Sequence, residues 1–171
     1  MDMLAEYLDG PYAPVDIDLR NKRWHIRGGI PNEPGWYYIV TNTPIAVLRR
    51  QTLWRKTYPT KKDRNAKVKN YDIQTRANRY TPNLRALWNV KEVYSGFAAS
   101  LQSRAREHTF AHEGTGGLAL SRYPDLRKYQ WAFHYMTLAG FMRKCPCKDM
   151  VLHLGEQLWR AKHGWPVLCA N

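Results

Sequence analysis

The chain has 171 residues, of which 27 are lysine or arginine and 14 are aspartate or glutamate, so its formal charge is +13 with neutral histidines. Its content of 44% hydrophobic and 13% aromatic residues excludes a disordered basic tail and is sufficient for one folded domain. No apolar run approaches the roughly 18 residues of a membrane span. Acidic residues near the N-terminus argue against a signal peptide, and an odd, sparse set of three cysteines agrees with a reducing compartment. We therefore expect a cytoplasmic protein that does not contact membranes.

The predicted elements include both strands and helices. A short helix over residues 3–8 and a turn at 28–34 form an N-terminal extension, residues 1–34. Runs of aromatic and β-branched residues, or an alternation of apolar and polar residues, predict the strands. Apolar residues that recur at helical spacing, and a serine that can cap a helix, predict the helices. In chain order these are a strand at 35–40, a strand at 90–96, a helix at 100–110, a strand at 129–138 and a helix at 148–162. The last helix is predicted to bury Val151, Leu154, Leu158 and Trp159 and to end at Gly164.

Most of the charge lies in one segment, residues 49–91. It holds 13 basic and two acidic residues, whereas the other 128 residues hold 14 basic and 12 acidic. Aromatic residues are interleaved with these cations, a composition that suits phosphate pairing and base stacking, so the segment predicts a nucleic-acid partner. The alternative is a solvated basic face that keeps the protein soluble. The residues predicted to contact nucleic acid are Arg49, Arg50, Arg55, Lys56, Lys61, Lys62, Arg64, Lys67, Lys69, Arg76 and Arg79.

Two short blocks resemble those of a known family. The first predicted strand contains Gly35, Trp36 and Tyr37 in sequence, and the second contains a tyrosine and a glycine separated by one serine, beginning at Tyr94. An arginine follows Tyr94 after ten residues and a histidine after fourteen. A glutamate, Glu156, lies on the last predicted helix, and Pro166 and Asn171 follow it. Together these residues resemble the GIY-YIG nuclease superfamily, with tryptophan and serine in place of the usual isoleucines.

The resemblance implies a small α+β (mixed α/β) core over residues 35–171. Its three-stranded antiparallel sheet is flanked by helices and carries a basic insertion at about 45–89, because the two block tyrosines are separated by 57 positions instead of a short hairpin. The resemblance implies a bacterial or phage enzyme that uses Mg²⁺ or Mn²⁺, bound by Glu156. The catalytic residues that it implies are Tyr37, Tyr94, Arg104, His108, Glu156 and Asn171.

These residue types suit phosphodiester hydrolysis. Arg104 and His108 are four residues apart on a helix and project from one face. A guanidinium stabilises charge on a phosphoryl group, and a histidine that titrates near working pH can orient or protonate an oxygen. Glu156 is a hard oxygen ligand for a hydrated magnesium ion. Tyr37 or Tyr94 would act as the base, and we favour Tyr37.

Each residue also has an ordinary structural interpretation. A tyrosine on an apolar strand is commonly a core residue, and an isolated arginine such as Arg104 is commonly a surface charge. Glu156 could form a helix ion pair with Arg160, four residues later. Asn171 is the last residue and could be a frayed end. The functional interpretation depends on all these positions fitting one pattern.

The sequence therefore predicts a metal-dependent endonuclease that cleaves double-stranded DNA at specific sites, in the manner of a type II restriction enzyme. Such an enzyme cuts both strands most simply as a homodimer. One alternative is a structure-specific or phage-type nuclease. Another is a nucleic-acid-binding protein of the same fold that lacks catalysis.

Overall fold

The computed structural model describes residues 2–20, 29–52, 57–58, 66–67, 72–110, 116–141 and 147–169. Its centre is a four-stranded antiparallel sheet formed by β1 (Ala13–Asp16), β2 (Gly35–Thr41), β6 (Glu92–Ala98) and β7 (Trp131–Thr137). The order of the strands across the sheet is β1-β7-β2-β6. The predicted α+β class is confirmed. The sheet has one strand more than predicted, because the four residues of β1 include a proline and lack an apolar alternation that would indicate a strand.

Helices cover both faces of the sheet. They are α1 (Asp2–Leu8), α4 (Leu101–Phe110) and α5 (Lys148–His163). The predicted cap of α4 is confirmed, since Oγ of Ser100 accepts a hydrogen bond of 3.1 Å from the backbone N–H of Ser103. Gly164 ends α5 with a φ of 84°, a conformation that favours glycine. None of the helices in the described ranges has the length and apolar character that a membrane span requires.

Alternate side chains of β2 enter two separate apolar clusters, as expected for a strand covered on both faces. Tyr37 and Ile39 belong to the larger cluster, which includes Leu101 of α4. Trp36 belongs to a smaller cluster, which includes Leu152 of α5. The buried residues of α5 are Leu152, Gly155 and Trp159. Leu154, which we expected on the buried stripe, is 37% exposed.

The ends of the predicted insertion are part of the core. Between β2 and β6 the chain forms α2 (Ile45–Leu48), β3 (Thr57–Tyr58), β4 (Ala66–Lys67), α3 (Ile73–Ala77), a 3₁₀ segment (Pro82–Leu87) and β5 (Trp88–Asn89). Leu48 and Ile73 are fully buried in the larger cluster. The two-residue strand β5 pairs in parallel with β8 (Trp165–Pro166), which follows α5. The parts of the predicted insertion that contain α2 and α3 therefore belong to the core.

Candidate active site

Tyr37 lies directly opposite Gly96 on neighbouring antiparallel strands. A Cβ atom placed on Gly96 would lie 2.5 Å from the Tyr37 hydroxyl oxygen and 2.8 Å from Cζ. Only a glycine therefore lets the Tyr37 ring lie across β6, which is the edge strand of the sheet. This close approach carries the Tyr37 hydroxyl to the edge at which α4 contributes its polar side chains.

The Tyr37 hydroxyl is held by two nitrogen atoms from α4. Nε of Arg104 donates a hydrogen bond to it over 3.0 Å, and Nε2 of His108 lies 2.9 Å away. Nδ1 of His108 accepts a hydrogen bond of 3.2 Å from the backbone N–H of Leu118. When Nδ1 of a neutral histidine ring accepts a hydrogen bond, the ring proton lies on Nε2. This hydrogen-bond network therefore assigns a proton to Nε2 of His108, which donates the second hydrogen bond to Tyr37. The Tyr37 oxygen therefore accepts two hydrogen bonds.

Arg104 connects Tyr37 to two further side chains. Its Nη2 donates to the Tyr94 hydroxyl at 3.3 Å, and its Nη1 forms an ion pair with Oε2 of Glu107 at 2.6 Å. The neighbouring tyrosines and Glu107 raise the pKa of Arg104 against the opposing effect of burial, so its charge is permanent. Arg104 thus places a fixed cation beside both tyrosine hydroxyls.

Burial controls the protonation of this cluster. It raises the pKa of Tyr37 to about 12, although the charge and hydrogen bond of Arg104 act in the opposite direction. Burial also lowers the pKa of His108 well below its usual value, and the positive charges of Arg104 and Arg76 add to this effect. His108 is fully buried and neutral. Our expectation that it titrates near working pH is therefore wrong: it is a fixed hydrogen-bond donor, because a buried cation beside two arginines is unfavourable.

Glu156 approaches β6 from the opposite face of the sheet. Ser95 points towards α5 because neighbouring residues of a strand face opposite sides, and its Oγ accepts a hydrogen bond of 3.0 Å from Nε of Arg160. Oε1 of Glu156 is paired with Nη2 of Arg160. The predicted alternative of an ion pair between Glu156 and Arg160 is thus confirmed. Their side chains are 12% and 11% exposed, so the pair is neither fully buried nor on an open surface.

The position of Glu156 depends on the preceding glycine. A Cβ atom on Gly155 would lie 2.3 Å from Nε1 of Trp36, and the same indole nitrogen donates a hydrogen bond of 2.9 Å to the carbonyl of Leu152. Trp36 therefore fits against α5 only because residue 155 is a glycine. This contact sets the distance between α5 and β2, and with it the position of Glu156.

The two sides of the site are electrostatically coupled around the edge of β6. Burial raises the pKa of Glu156, and the charges of Arg160, His153 and Arg104 oppose this effect. Glu156 in turn contributes to the raised pKa of Tyr37. Arg104 acts from the face covered by α4, and Glu156 from the face covered by α5. The arrangement therefore combines two tyrosine hydroxyls, two arginines and the carboxylates of Glu107 and Glu156 at a single edge of the sheet.

Most of this site, but not all of it, was predicted from the sequence. Tyr37, Tyr94, Arg104 and His108 form one contact network, and the rings of Tyr94 and His108 are 4.5 Å apart between centroids. Asn171 lies outside the described residues. Three further members of the site were not predicted: Glu107, Ser95 and Cys169, whose Sγ accepts a hydrogen bond of 3.3 Å from the backbone N–H of Ser95. The only available signals were the spacing of Glu107, three residues after Arg104, and the position of Ser95 inside the second block.

The predicted DNA-contacting residues have different environments. Arg50 and Arg79 are exposed. Arg76 is 3% exposed and its Nη1 donates a hydrogen bond of 2.9 Å to the carbonyl of Leu168, so the prediction that Arg76 contacts DNA is wrong. Arg49 is half-buried and donates to the carbonyls of Ala77 and Tyr80. Lys67 lies on β4, and the residues outside the described ranges are Arg55, Lys56, Lys61, Lys62, Arg64 and Lys69.

The donor set suits a hydrated magnesium ion but not a cage of protein ligands. Within the described ranges, no group of three or more histidine, cysteine, aspartate or glutamate side chains is placed to hold a metal. Glu156 supplies one carboxylate, and Mg²⁺ commonly keeps most of its waters when it binds beside a phosphate. Glu156 is the residue that would hold such an ion.

Comparisons of this chain with protein-family models, with curated proteins and with solved structures gave no match. The GIY-YIG relationship is therefore a resemblance of the residues discussed above.

Proposed function

We propose that this protein is a metal-dependent endonuclease of the GIY-YIG type that hydrolyses phosphodiester bonds in double-stranded DNA. The observation that carries the proposal is the Tyr37 hydroxyl, which accepts hydrogen bonds from both Arg104 and His108 at a sheet edge that Glu156 also approaches. An ordinary core tyrosine has no need of two donors and a permanent cation. A tyrosine that must lose or share a proton during a reaction does benefit from them.

Each residue has a role that its environment supports. Tyr37 is protonated at neutral pH, and its two donors favour the phenolate that forms when it takes part in proton transfer from the attacking water. Arg104 stabilises the negative charge that develops on the phosphoryl oxygens. His108 holds the Tyr37 oxygen in place and stays neutral. A magnesium or manganese ion on Glu156 would polarise the scissile phosphate.

The substrate follows from the charge of the chain. The excess of cations in residues 49–91 favours binding to the phosphate backbone, and the exposed Arg50 and Arg79 belong to this segment. We propose cleavage at specific sites, as in type II restriction enzymes, by a homodimer that cuts both strands in the cytoplasm of a bacterium or a phage-infected cell.

A DNA-binding protein without catalysis is the second candidate. It is favoured by the pairing of Glu156 with Arg160, because a carboxylate that is already paired is a weaker metal ligand. The two candidates predict the same DNA binding and differ in their reaction with metal.

Incubation of the protein with supercoiled plasmid and MgCl₂ tests the proposal. Discrete fragments indicate a site-specific enzyme, and nicks or a smear indicate a non-specific nuclease. EDTA and the substitution Glu156→Gln should each abolish cleavage, whereas the control Glu6→Gln on α1 removes an exposed carboxylate elsewhere and should cut as the wild type does. The nuclease proposal is wrong if the wild type leaves DNA intact or if Glu156→Gln retains full activity.

A further inference from the structure

Arg160 is fixed by more contacts than an ion pair with Glu156 requires. Its Nε donates to Oγ of Ser95 at 3.0 Å, and its Nη2 donates to the carbonyl of Ser95 and to Sγ of Cys169, each at 3.3 Å. Its guanidinium carbon lies 4.5 Å from the centroid of the Trp165 ring. The plane of the guanidinium is therefore fixed by a strand, by the segment after α5 and by an aromatic ring.

One donor of this fixed group is unused. Among the described residues, no atom accepts a hydrogen bond from Nη1 of Arg160, and no atom donates one to Oε2 of Glu156. The Tyr12 hydroxyl is the one buried side-chain polar atom in the described ranges that lacks a partner. Nη1 of Arg160 and Oε2 of Glu156 also lack a partner but are not among the buried atoms, so both are accessible. The pair therefore presents a cationic donor beside a carboxylate oxygen.

This combination suits a phosphate both with and without a bound cation. A phosphate oxygen accepts hydrogen bonds from guanidinium groups, and the ion pair with Arg160 balances the negative charge of Glu156 that would otherwise repel the phosphate. The other arginine of the site, Arg104, acts from the opposite face of the sheet and is engaged with Tyr37, Tyr94 and Glu107. The two arginines are thus placed on either side of β6.

We propose that Arg160 is a second phosphate-binding arginine of this site, and that it contacts the DNA backbone through Nη1 while Nε and Nη2 hold Glu156 and Ser95 in position. The proposal rests on the proposed DNA substrate but not on cleavage. The same arginine thus neutralises Glu156 through Nη2 while its Nη1 contacts the backbone.

The test is binding of a short, fluorescein-labelled duplex in EDTA, measured by anisotropy over a range of salt concentrations. Arg160→Gln should weaken binding about tenfold, as expected for one charge-assisted hydrogen bond. It should also reduce the slope of log K against log salt by about 0.9, the value for one phosphate contact. Arg160→Lys, which keeps the charge, should retain most of the slope. Arg20→Gln removes an exposed cation that follows β1, at the opposite edge of the sheet, and is the matched control.

A purely structural role predicts a different result. If Arg160 only positions Glu156, Arg160→Gln lowers cleavage but leaves the affinity and the salt slope in EDTA equal to those of Arg20→Gln, and the phosphate contact is refuted. Should Arg160→Gln unfold, seen as loss of its cooperative thermal transition, the uncharged Arg160→Met takes its place: the contact is refuted if the salt slope of Arg160→Met equals that of Arg20→Gln. Wild-type protein that fails to bind the duplex refutes it as well. Wild type that binds as expected but does not cut contradicts the nuclease proposal alone.

Discussion

The Tyr37 side chain occupies the space in which a side chain of Gly96 would lie, with the Tyr37 hydroxyl oxygen 2.5 Å from the position of a Cβ atom. Because Tyr37 is only 2% exposed and is packed on both sides, it cannot move away from an added methyl group. We therefore predict that Gly96→Ala lowers the free energy of unfolding by about 1–3 kcal/mol. Urea denaturation followed by tryptophan fluorescence measures this change.

Combining Gly96→Ala with Tyr37→Phe shows whether the contact between these two residues causes the loss of stability. The phenylalanine lacks the oxygen atom nearest to the added Cβ, so the double variant should be more stable than the sum of the two single effects predicts, by about 0.5 kcal/mol or more. Strict additivity would contradict the assigned contact.

The Tyr37 hydroxyl is expected to be needed for catalysis but not for DNA binding. Tyr37→Phe removes the acceptor of Arg104 and His108, and it should reduce the cleavage rate about 100-fold or more while the affinity for DNA in EDTA stays within about twofold. The control is Tyr7→Phe, which removes a hydroxyl that donates to the carbonyl of Thr137 at 2.9 Å, away from the site. Equal cleavage rates for the two variants would exclude Tyr37 from the reaction.

His108 is predicted to remain a neutral ring with its proton on Nε2. Nitrogen-15 spectra of its ring should show this tautomer unchanged between pH 5 and pH 8, because the pKa of His108 lies well below its ordinary value of 6.5. The unfolded chain binds a proton near pH 6.5 and the folded chain does not, so the free energy of unfolding should fall as the pH drops below that value. In His108→Gln this part of the pH dependence should be absent. Double protonation of the ring in the folded protein above pH 5 would contradict the assignment.

Gly155 is predicted to set the position of Glu156. Gly155→Ala places a methyl group 2.3 Å from Nε1 of Trp36, so α5 must move away from the sheet and the cleavage rate should fall together with the melting temperature. Trp36→Ile removes the indole and should restore part of both quantities in the double variant. If Gly155→Ala alone cuts and melts as the wild type does, the close approach is not what positions Glu156.

Substitutions of two arginines in the basic segment are predicted to have opposite effects on stability and on DNA binding. Arg76→Gln removes a buried donor to the carbonyl of Leu168 and should lower the free energy of unfolding by about 1–3 kcal/mol, without changing the salt dependence of DNA binding. Arg50→Gln should leave stability unchanged and reduce the salt slope by about 0.9. Chemical denaturation and anisotropy titration separate the two effects. A reduced salt slope in Arg76→Gln would show that its burial does not persist when DNA binds.

The sequence predicted the strands and helices of the core well because their apolar residues recur with regular spacing and their ends carry caps such as Ser100 and Gly164. It also predicted that Arg104 and His108 share one face of a helix. It did not predict the burial of Arg76, because one arginine among 13 cations of a segment carries no sign of where its side chain points. The role of Gly155 could not be predicted either, because the residue that requires a glycine there is a tryptophan 119 positions earlier in the chain.

The protonation of His108 was predicted wrongly for a related reason. An unperturbed histidine titrates near working pH, and only the packing around it shows that the ring is fully buried beside two arginines. Spacing along a helix predicts which side chains meet, but solvent access and charge at the meeting point depend on elements far away in the sequence.

The edge of β6 is closed to a further strand. The carbonyl of Val93 accepts a hydrogen bond of 2.8 Å from the backbone N–H of Leu168, and the N–H and carbonyl groups of Ser95 are used by Cys169 and Arg160. An unpaired edge strand is a common route to joining two sheets or to aggregation, and here the chain's own C-terminal segment occupies that position. Two copies of this protein therefore cannot join into one continuous sheet across β6. The edge that carries the candidate site is therefore closed to strand addition.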